Sequence, residues 1–276
     1  MKRNTTRLLV TLLAVVCLTL LVAPAALAQS KSLDWHRWDA EIEINADGTF
    51  DVREVYEIEF IGGPYTFGYR TILKDQFEGL QNVSVSEDGA TYAQAYGEQP
   101  HTFYVQENPD EYLVQWFFPP TENATRTFVL EYTVRGGLII NEEVGDRFFW
   151  KAVGADHAFP IESSTVTVRM PPGATVDTSI EPATFGVANA RYEVSDDGRV
   201  VTFFATDIPA NQEFEVGVRF PHGFVPAEKP SWQAEYEQEQ TWNDRYRPVL
   251  NLAFGGVAVL LLVGGLTLAF SFLRGG

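Results

Sequence analysis

Glu54 breaks the pattern around it. In the run Phe50, Val52, Glu54, Tyr56, Ile58 and Phe60 every second residue is apolar or aromatic except this carboxylate. An ionised carboxylate on an apolar face is costly unless a cation with hydrogen-bond donors meets it there. Arg70 is the candidate partner, because its planar fork can hold a carboxylate bidentately. The segment between them holds Gly62, Gly63, Pro64 and Gly68, which lets the chain turn back. The chemistry of such a pair is structural rather than catalytic. The alternative is a β-bulge at Arg53–Glu54 that returns Glu54 to water.

Other residues able to do chemistry are scattered. The four histidines, His36, His101, His157 and His222, form no H-x-x-x-H or H-E-x-x-H pattern. No G-x-S-x-G elbow, P-loop or dinucleotide fingerprint occurs. Asp47-Gly48, Asp88-Gly89 and Asp197-Gly198 read as hairpin turns, since none continues as a calcium-binding loop. Carboxylates such as Glu142–Glu143 could serve glycoside hydrolysis only at a separation that spacing along the chain does not reveal. Accordingly no catalytic, cofactor-binding or metal-ligating residue is nominated. Of the six tryptophans, Trp38, Trp116 and Trp150 fall in strand patterns and belong to a core, while Trp35 and Trp232 are freer.

The elements that must position these residues are strands. Trp38, Ala40, Ile42 and Ile44 alternate with acids, then Asn45–Gly48 turns, and the Phe50–Phe60 run alternates again. This is a β-hairpin. The pattern recurs at Tyr112–Phe118, Phe128–Val134, Val166–Met170 and Phe214–Phe220, each run ended by Gly or Pro, and at Val201–Phe203 after the Asp196-Asp197-Gly198 turn. Many short strands with such turns imply an all-β, immunoglobulin-like β-sandwich. Gly136–Gly137 suggests two β-rich lobes, 33–136 and 137–226. After a break at Pro226–Pro230, Ser231 could cap a juxtamembrane helix over 231–247, with Trp232, Tyr236, Trp242 and Tyr246 within one arc.

Both ends carry membrane signals. Lys2, Arg3 and Arg7, an apolar Leu8–Val22 stretch and Ala26-Leu27-Ala28 are the three parts of a signal peptide, 1–28. Val249–Leu273 holds no charge and is long enough, at about 1.5 Å per helical residue, to cross a core of about 30 Å. The expected topology is a single pass in the cytoplasmic membrane, body outside and C-terminus inside. The only cysteine, Cys17, leaves with the signal peptide, so the exported body has no disulfide. The chain carries 37 Asp+Glu and a formal charge of −17, and every acid lies between the two apolar ends. Nucleic acid is a poor partner for that surface.

The order of motifs resembles the bacterial membrane proteins grouped as domain of unknown function 2207. The matching stretches are Ile42–Glu54, Gly63 with Tyr69-Arg70-Thr71-Ile72, Thr125–Val134 and Phe149-Trp150. The resemblance covers about Asp39 to Pro221 and implies no activity. The expected role is therefore that of a membrane-anchored extracytoplasmic β-sandwich protein. It would hold the lipid bilayer through 249–273 and bind an extracytoplasmic protein or glycan. The alternative is a cell-envelope glycan hydrolase with carboxylates from distant strands.

Overall fold

The computed structural model describes residues 31–171, 173–174 and 179–245, with side chains as far as residue 240. The expected signal peptide and membrane span lie outside the described residues. Within them no helix is long and apolar enough to cross a membrane.

The described chain is mostly strand. It begins β1 (Ser32–Ile44), β2 (Phe50–Ile61), β3 (Tyr65–Leu73), β4 (Gly79–Glu87), β5 (Ala90–Thr91) and β6 (Ala93–Gln94). It continues β7 (Thr102–Glu107), β8 (Glu111–Thr121), β9 (Ala124–Arg135), β10 (Leu138–Ile139) and β11 (Asp146–Val153). It closes with β12 (Ile161–Arg169), β13 (Glu181–Phe185), β14 (Arg191–Val194), β15 (Val200–Ile208), β16 (Phe214–Phe220) and one helix, α1 (Gln233–Arg245).

These strands build an eight-stranded sheet, β14-β15-β12-β1-β2-β9-β4-β5, and two four-stranded sheets, β10-β11-β16-β13 and β3-β8-β7-β6. Both small sheets lie on one face of the large one. At one end of β2, Phe50 meets Phe148 and Trp150 of β11 at ring separations of 5.1 and 5.3 Å. At the other, Tyr56 stacks on Trp116 of β8 at 5.8 Å, and Phe60 meets Phe118 at 5.3 Å. The architecture is thus a sandwich only in the coarse sense. β1 and β2 run to 13 and 12 residues, roughly 40 Å of strand, and two short sheets cover that length side by side. Each fully buried Phe, Leu or Ile in this layer is worth about 1.5–3 kcal/mol relative to exposure.

The β1–β2 hairpin turns at Asn45–Thr49, where Asn45 N donates to Thr49 O at 2.9 Å and Gly48 N to Asn45 O at 3.2 Å. Gly48 has φ +83°, and a Cβ there would sit 2.7 Å from the Ala227 Cβ. Both the backbone and the segment packed beneath therefore require glycine. Gly48→Val is expected to destabilise the protein by about 1–2 kcal/mol. An unchanged denaturant midpoint would contradict this.

The boundary expected at Gly136–Gly137 lies in the turn from β9 to β10. Strands from both sides of it share the large sheet, because β1 pairs with β2 on one edge and, in parallel, with β12 on the other. One apolar cluster runs from Trp38 through Phe128 to Phe220. The hydroxyl of Ser231 donates to Glu78 at 2.9 Å rather than capping α1. Trp232 stays on the body through Nε1, which donates to the Gly136 carbonyl at 2.7 Å. The Trp242 side chain and Tyr246, expected on the same arc, lie outside what is described.

Candidate functional site

Glu54 sits where the three sheets meet. β2 pairs without a break through Arg53–Glu54, with Ala40 opposite on β1 and Leu130 on β9, so Glu54 keeps the inward phase of its neighbours and is fully buried. The chain reverses within Gly62–Pro64, and Arg70 lies not in a turn but inside β3, a strand of another sheet. Its side chain is 3% exposed, with Nε 3.1 Å from Glu54 Oε2. Nη2 is 3.4 Å from Glu54 Oε1 and donates at 2.9 Å to the Lys151 carbonyl of β11. Nη1 donates to the Thr71 carbonyl at 2.9 Å, and the guanidinium lies 4.9 Å from the Trp38 ring centre. Gly154 leaves the room, since a Cβ there would come within 2.4 Å of Arg70 Nη1.

Two phenols complete the shell. Tyr56 Oη donates to Glu54 Oε2, and Tyr132 Oη, from β9, donates to Oε1. Burial works to strip the Arg70 proton, but the Glu54 charge together with the Tyr56 and Tyr132 phenols and Asp156 outweighs it, so the guanidinium stays charged. Burial, then the Glu54 charge, holds both phenols well above the usual tyrosine value of 10.0. In the unfolded chain these phenols ionise near pH 10, so above that pH the unfolded state binds fewer protons and stability falls as pH rises. An alkaline titration of phenolate absorbance is expected to find Tyr56 and Tyr132 protonated until the protein unfolds. Replacing both by Phe should flatten that fall. Phenols that ionise in the native protein near pH 10 would contradict the geometry.

Glu54 is closed to solvent and both its oxygens are engaged, so it is no general base. The buried cluster joins β2 and β9 of the large sheet to one strand of each small sheet. Its Tyr132 and Lys151 members escape sequence reasoning, because they lie 78 and 81 residues from the groups they bind. Tyr56, two residues from Glu54 on the same face, carries the one readable signal.

Beside Arg70 a cleft of about 360 Å³ opens, lined by Asp75, Lys151, Asp156, Glu213 and Glu215 among others. Lys151 Nζ is 2.7 Å from Asp75 and 3.8 Å from Glu213. Burial, with Glu213 and Asp75 nearby, raises the Glu215 carboxyl. Glu142 and Glu143 stand apart, exposed in the β10–β11 turn. Among the described residues no group of His, Cys, Asp and Glu could hold a metal ion. The histidines are dispersed: His36 lies against Glu59 and Glu162, His101 against Tyr92, His157 near Trp38, and His222 against Asp146.

A different surface lies on the outward face of β3-β8-β7. Register aligns Phe67–Phe117–Thr102, Tyr69–Gln115–Tyr104 and Thr71–Leu113–Gln106 in three cross-strand rows. None of the nine is charged, on a chain that is 21% charged. Phe67 and Tyr69 are each 49% exposed, and Tyr96, beside Tyr104, is 87% exposed. Four rings follow one another across the sheet, of which Tyr104 is half-buried and Phe117 only 4% exposed. Tyr96 to Tyr104 is 5.7 Å, Tyr104 to Phe117 is 6.1 Å and Phe117 to Phe67 is 6.4 Å. On the far side of β3, Phe67 and Tyr69 also border an apolar cleft of about 350 Å³ with Trp35, Trp38 and Trp116. Phe117 was legible as out of phase with the inward row Tyr112, Val114, Trp116 and Phe118, although that signal does not say what it faces.

The fold and these surfaces define a β-rich module whose charged centre is buried and which, among the described residues, sets the exposed rings Phe67, Tyr69 and Tyr96 on or beside one small sheet, with Phe185 and Tyr192 exposed elsewhere. The chain belongs to the family described as predicted membrane protein (DUF2207), N-terminal domain, matched over residues 35–220. That range runs from β1 to the end of β16 and stops before α1. No curated protein sequence matches it. Among solved structures it is similar to yeast LTA4 hydrolase in complex with bestatin, at 11% identity and TM-score 0.44 over 71% of this chain and 31% of that one. It is also similar to an M1 zinc metallopeptidase from Deinococcus radiodurans, at 13% identity and TM-score 0.39 over 69% and 43%. This chain spans less than half the length of either enzyme, and likenesses of this size carry no argument about activity.

Proposed function

We propose that this chain is a non-enzymatic, extracytoplasmic binding module of the cell envelope. In this reading it is held in the cytoplasmic membrane by 249–273, with the body outside, and engages a protein or wall component. The observation that carries it is the uncharged aromatic face of β3-β8-β7 on a strongly acidic protein. Exposed apolar surface that is gathered rather than scattered marks contact sites. Family membership supports the membrane setting. The test is co-sedimentation of the full chain, in detergent, with fractionated envelope material. The wild type is expected to pellet with one fraction, and Phe67→Ser/Tyr69→Ser to stay in the supernatant with its melting temperature unchanged. Equal behaviour of the two would end the proposal.

A second reading, a glycan hydrolase, is favoured by the cleft that brings Asp75, Glu213 and Glu215 around Lys151. Lys151 neutralises the carboxylates it touches, which speaks against a free acid–base pair. Release of soluble sugar from the pelleted fraction, lost in Glu215→Gln, would favour this reading over binding alone.

A further inference from the structure

We propose that the ligand of the β3-β8-β7 face is a neutral polysaccharide chain lying across its rows of rings. The inference rests on the binding reading above and narrows it to one chemistry.

The composition of the rows is the first support. They mix aromatic rings with hydroxyl and amide groups and hold no charge. A sugar ring presents an apolar face of C–H bonds and a rim of hydroxyls. The C–H face suits the electron-rich face of a Phe or Tyr ring, and the rim needs groups that both donate and accept. Thr71, Thr102, Gln106 and Gln115 are of that kind. The Tyr104 hydroxyl donates to Gln115 Oε1 at 2.6 Å, which fixes that amide and leaves its Nε2 donors for a ligand. The Tyr–amide–Tyr row Tyr69–Gln115–Tyr104 thus pairs two rings with a positioned donor.

Shape is the second support. The rows lie on an antiparallel sheet face whose register is regular from Phe67 to Leu73, so the surface is an open strip rather than a pocket. The exposed rings Phe67, Tyr69 and Tyr96, with the half-buried Tyr104 between them, suit an extended polymer that repeats one unit, while Phe117 at 4% exposure is closed to a ligand. Charge is the third. Glu111 continues the Gln115–Leu113 line of β8 at one end of the strip, and the whole chain is acidic. An anionic polymer would be repelled at that end, whereas a neutral one meets no cost.

The test uses the full chain in detergent with insoluble chitin and insoluble cellulose, two neutral β-linked polysaccharides, as probes. Wild type is expected to bind at least one, with an affinity unchanged between low and high salt. Tyr69→Ala and Tyr104→Ala should each weaken binding about tenfold or more, Tyr69→Phe should retain most of it, and Gln115→Ala should weaken it severalfold. All four should melt as wild type does. If wild type binds neither probe while Phe67→Ser/Tyr69→Ser still abolishes envelope pelleting, the glycan is wrong and the binding reading stands, with a protein partner. If the same double variant instead turns a dimer in detergent into a monomer, the face joins two copies of this chain and the glycan falls. If neither envelope nor glycan binding responds to the variants, both readings fall together.

Discussion

Glu54→Ala and Arg70→Ala are each expected to cost about 3–5 kcal/mol of stability. Either change strands a charge that is almost wholly removed from water. Losing the carboxylate leaves Arg70 with the Thr71 and Lys151 carbonyls, the Trp38 ring and the distant Asp156, 4.0 Å away. Losing the guanidinium leaves Glu54 with two phenol donors and no cation. The double variant should cost less than the sum of the singles, with a coupling of at least about 1 kcal/mol. Gly154→Ala belongs to the same unit, because its new methyl would press on Arg70 Nη1. Its effect should shrink once Arg70 is already Ala. Denaturant unfolding of the full chain and its variants checks this. Additive single effects, or singles below about 0.5 kcal/mol, would show that the cluster does not act as a unit.

Gln233→Ala is expected to release the start of α1 from the body. Gln233 is fully buried, and its amide meets the backbone of Ile140 as a neighbouring strand would. Oε1 accepts from Ile140 N at 2.9 Å, and Nε2 donates to Ile140 O at 2.7 Å. Truncation leaves two buried backbone groups without partners, at about 1–3 kcal/mol each. Local opening of this segment then has to break contacts such as those from Glu78 to Ser231 and from Trp232 to Gly136, without the buried amide. Cleavage by added protease between Pro221 and Trp232 should accelerate by on the order of 100-fold, the factor that about 3 kcal/mol supplies. Gln233→Glu turns the donor into a carboxylate oxygen facing the Ile140 carbonyl and Glu237, so it should accelerate cleavage at least as much as Ala. An unaltered cleavage rate would show that the helix is held by other contacts. Because the apolar run 249–273 follows α1 in sequence, this amide sets how firmly the body is tied to whatever lies beyond.

Local rules reach a definite depth in this chain. The β1–β2 hairpin follows from period-two alternation on either side of Asn45–Gly48, because successive strand side chains point to opposite faces and the turn needs a positive φ. The β14–β15 hairpin around Asp197-Gly198 follows for the same reason. Glu54 stands out because one charge among apolar positions of one parity conflicts with burial, a conflict visible without a structure. Nothing local, however, decides which alternating strand pairs with which. β1 accepts β12 in parallel across more than a hundred residues, and any strand with an apolar face and a free edge satisfies the same backbone groups. The three-sheet layout follows from that choice, and so does the meeting of Glu54 with Tyr132 and the Lys151 carbonyl. The aromatic strip is similar. Phe67, Tyr69, Tyr104 and Phe117 are readable one by one as rings in strands, but only cross-strand register sets them in adjacent rows on the outward side. Composition and alternation, which act between near neighbours, thus determined the strands, their turns and the odd carboxylate. Pairing and register, which act between distant segments competing for the same edges, were decided by the tertiary structure alone.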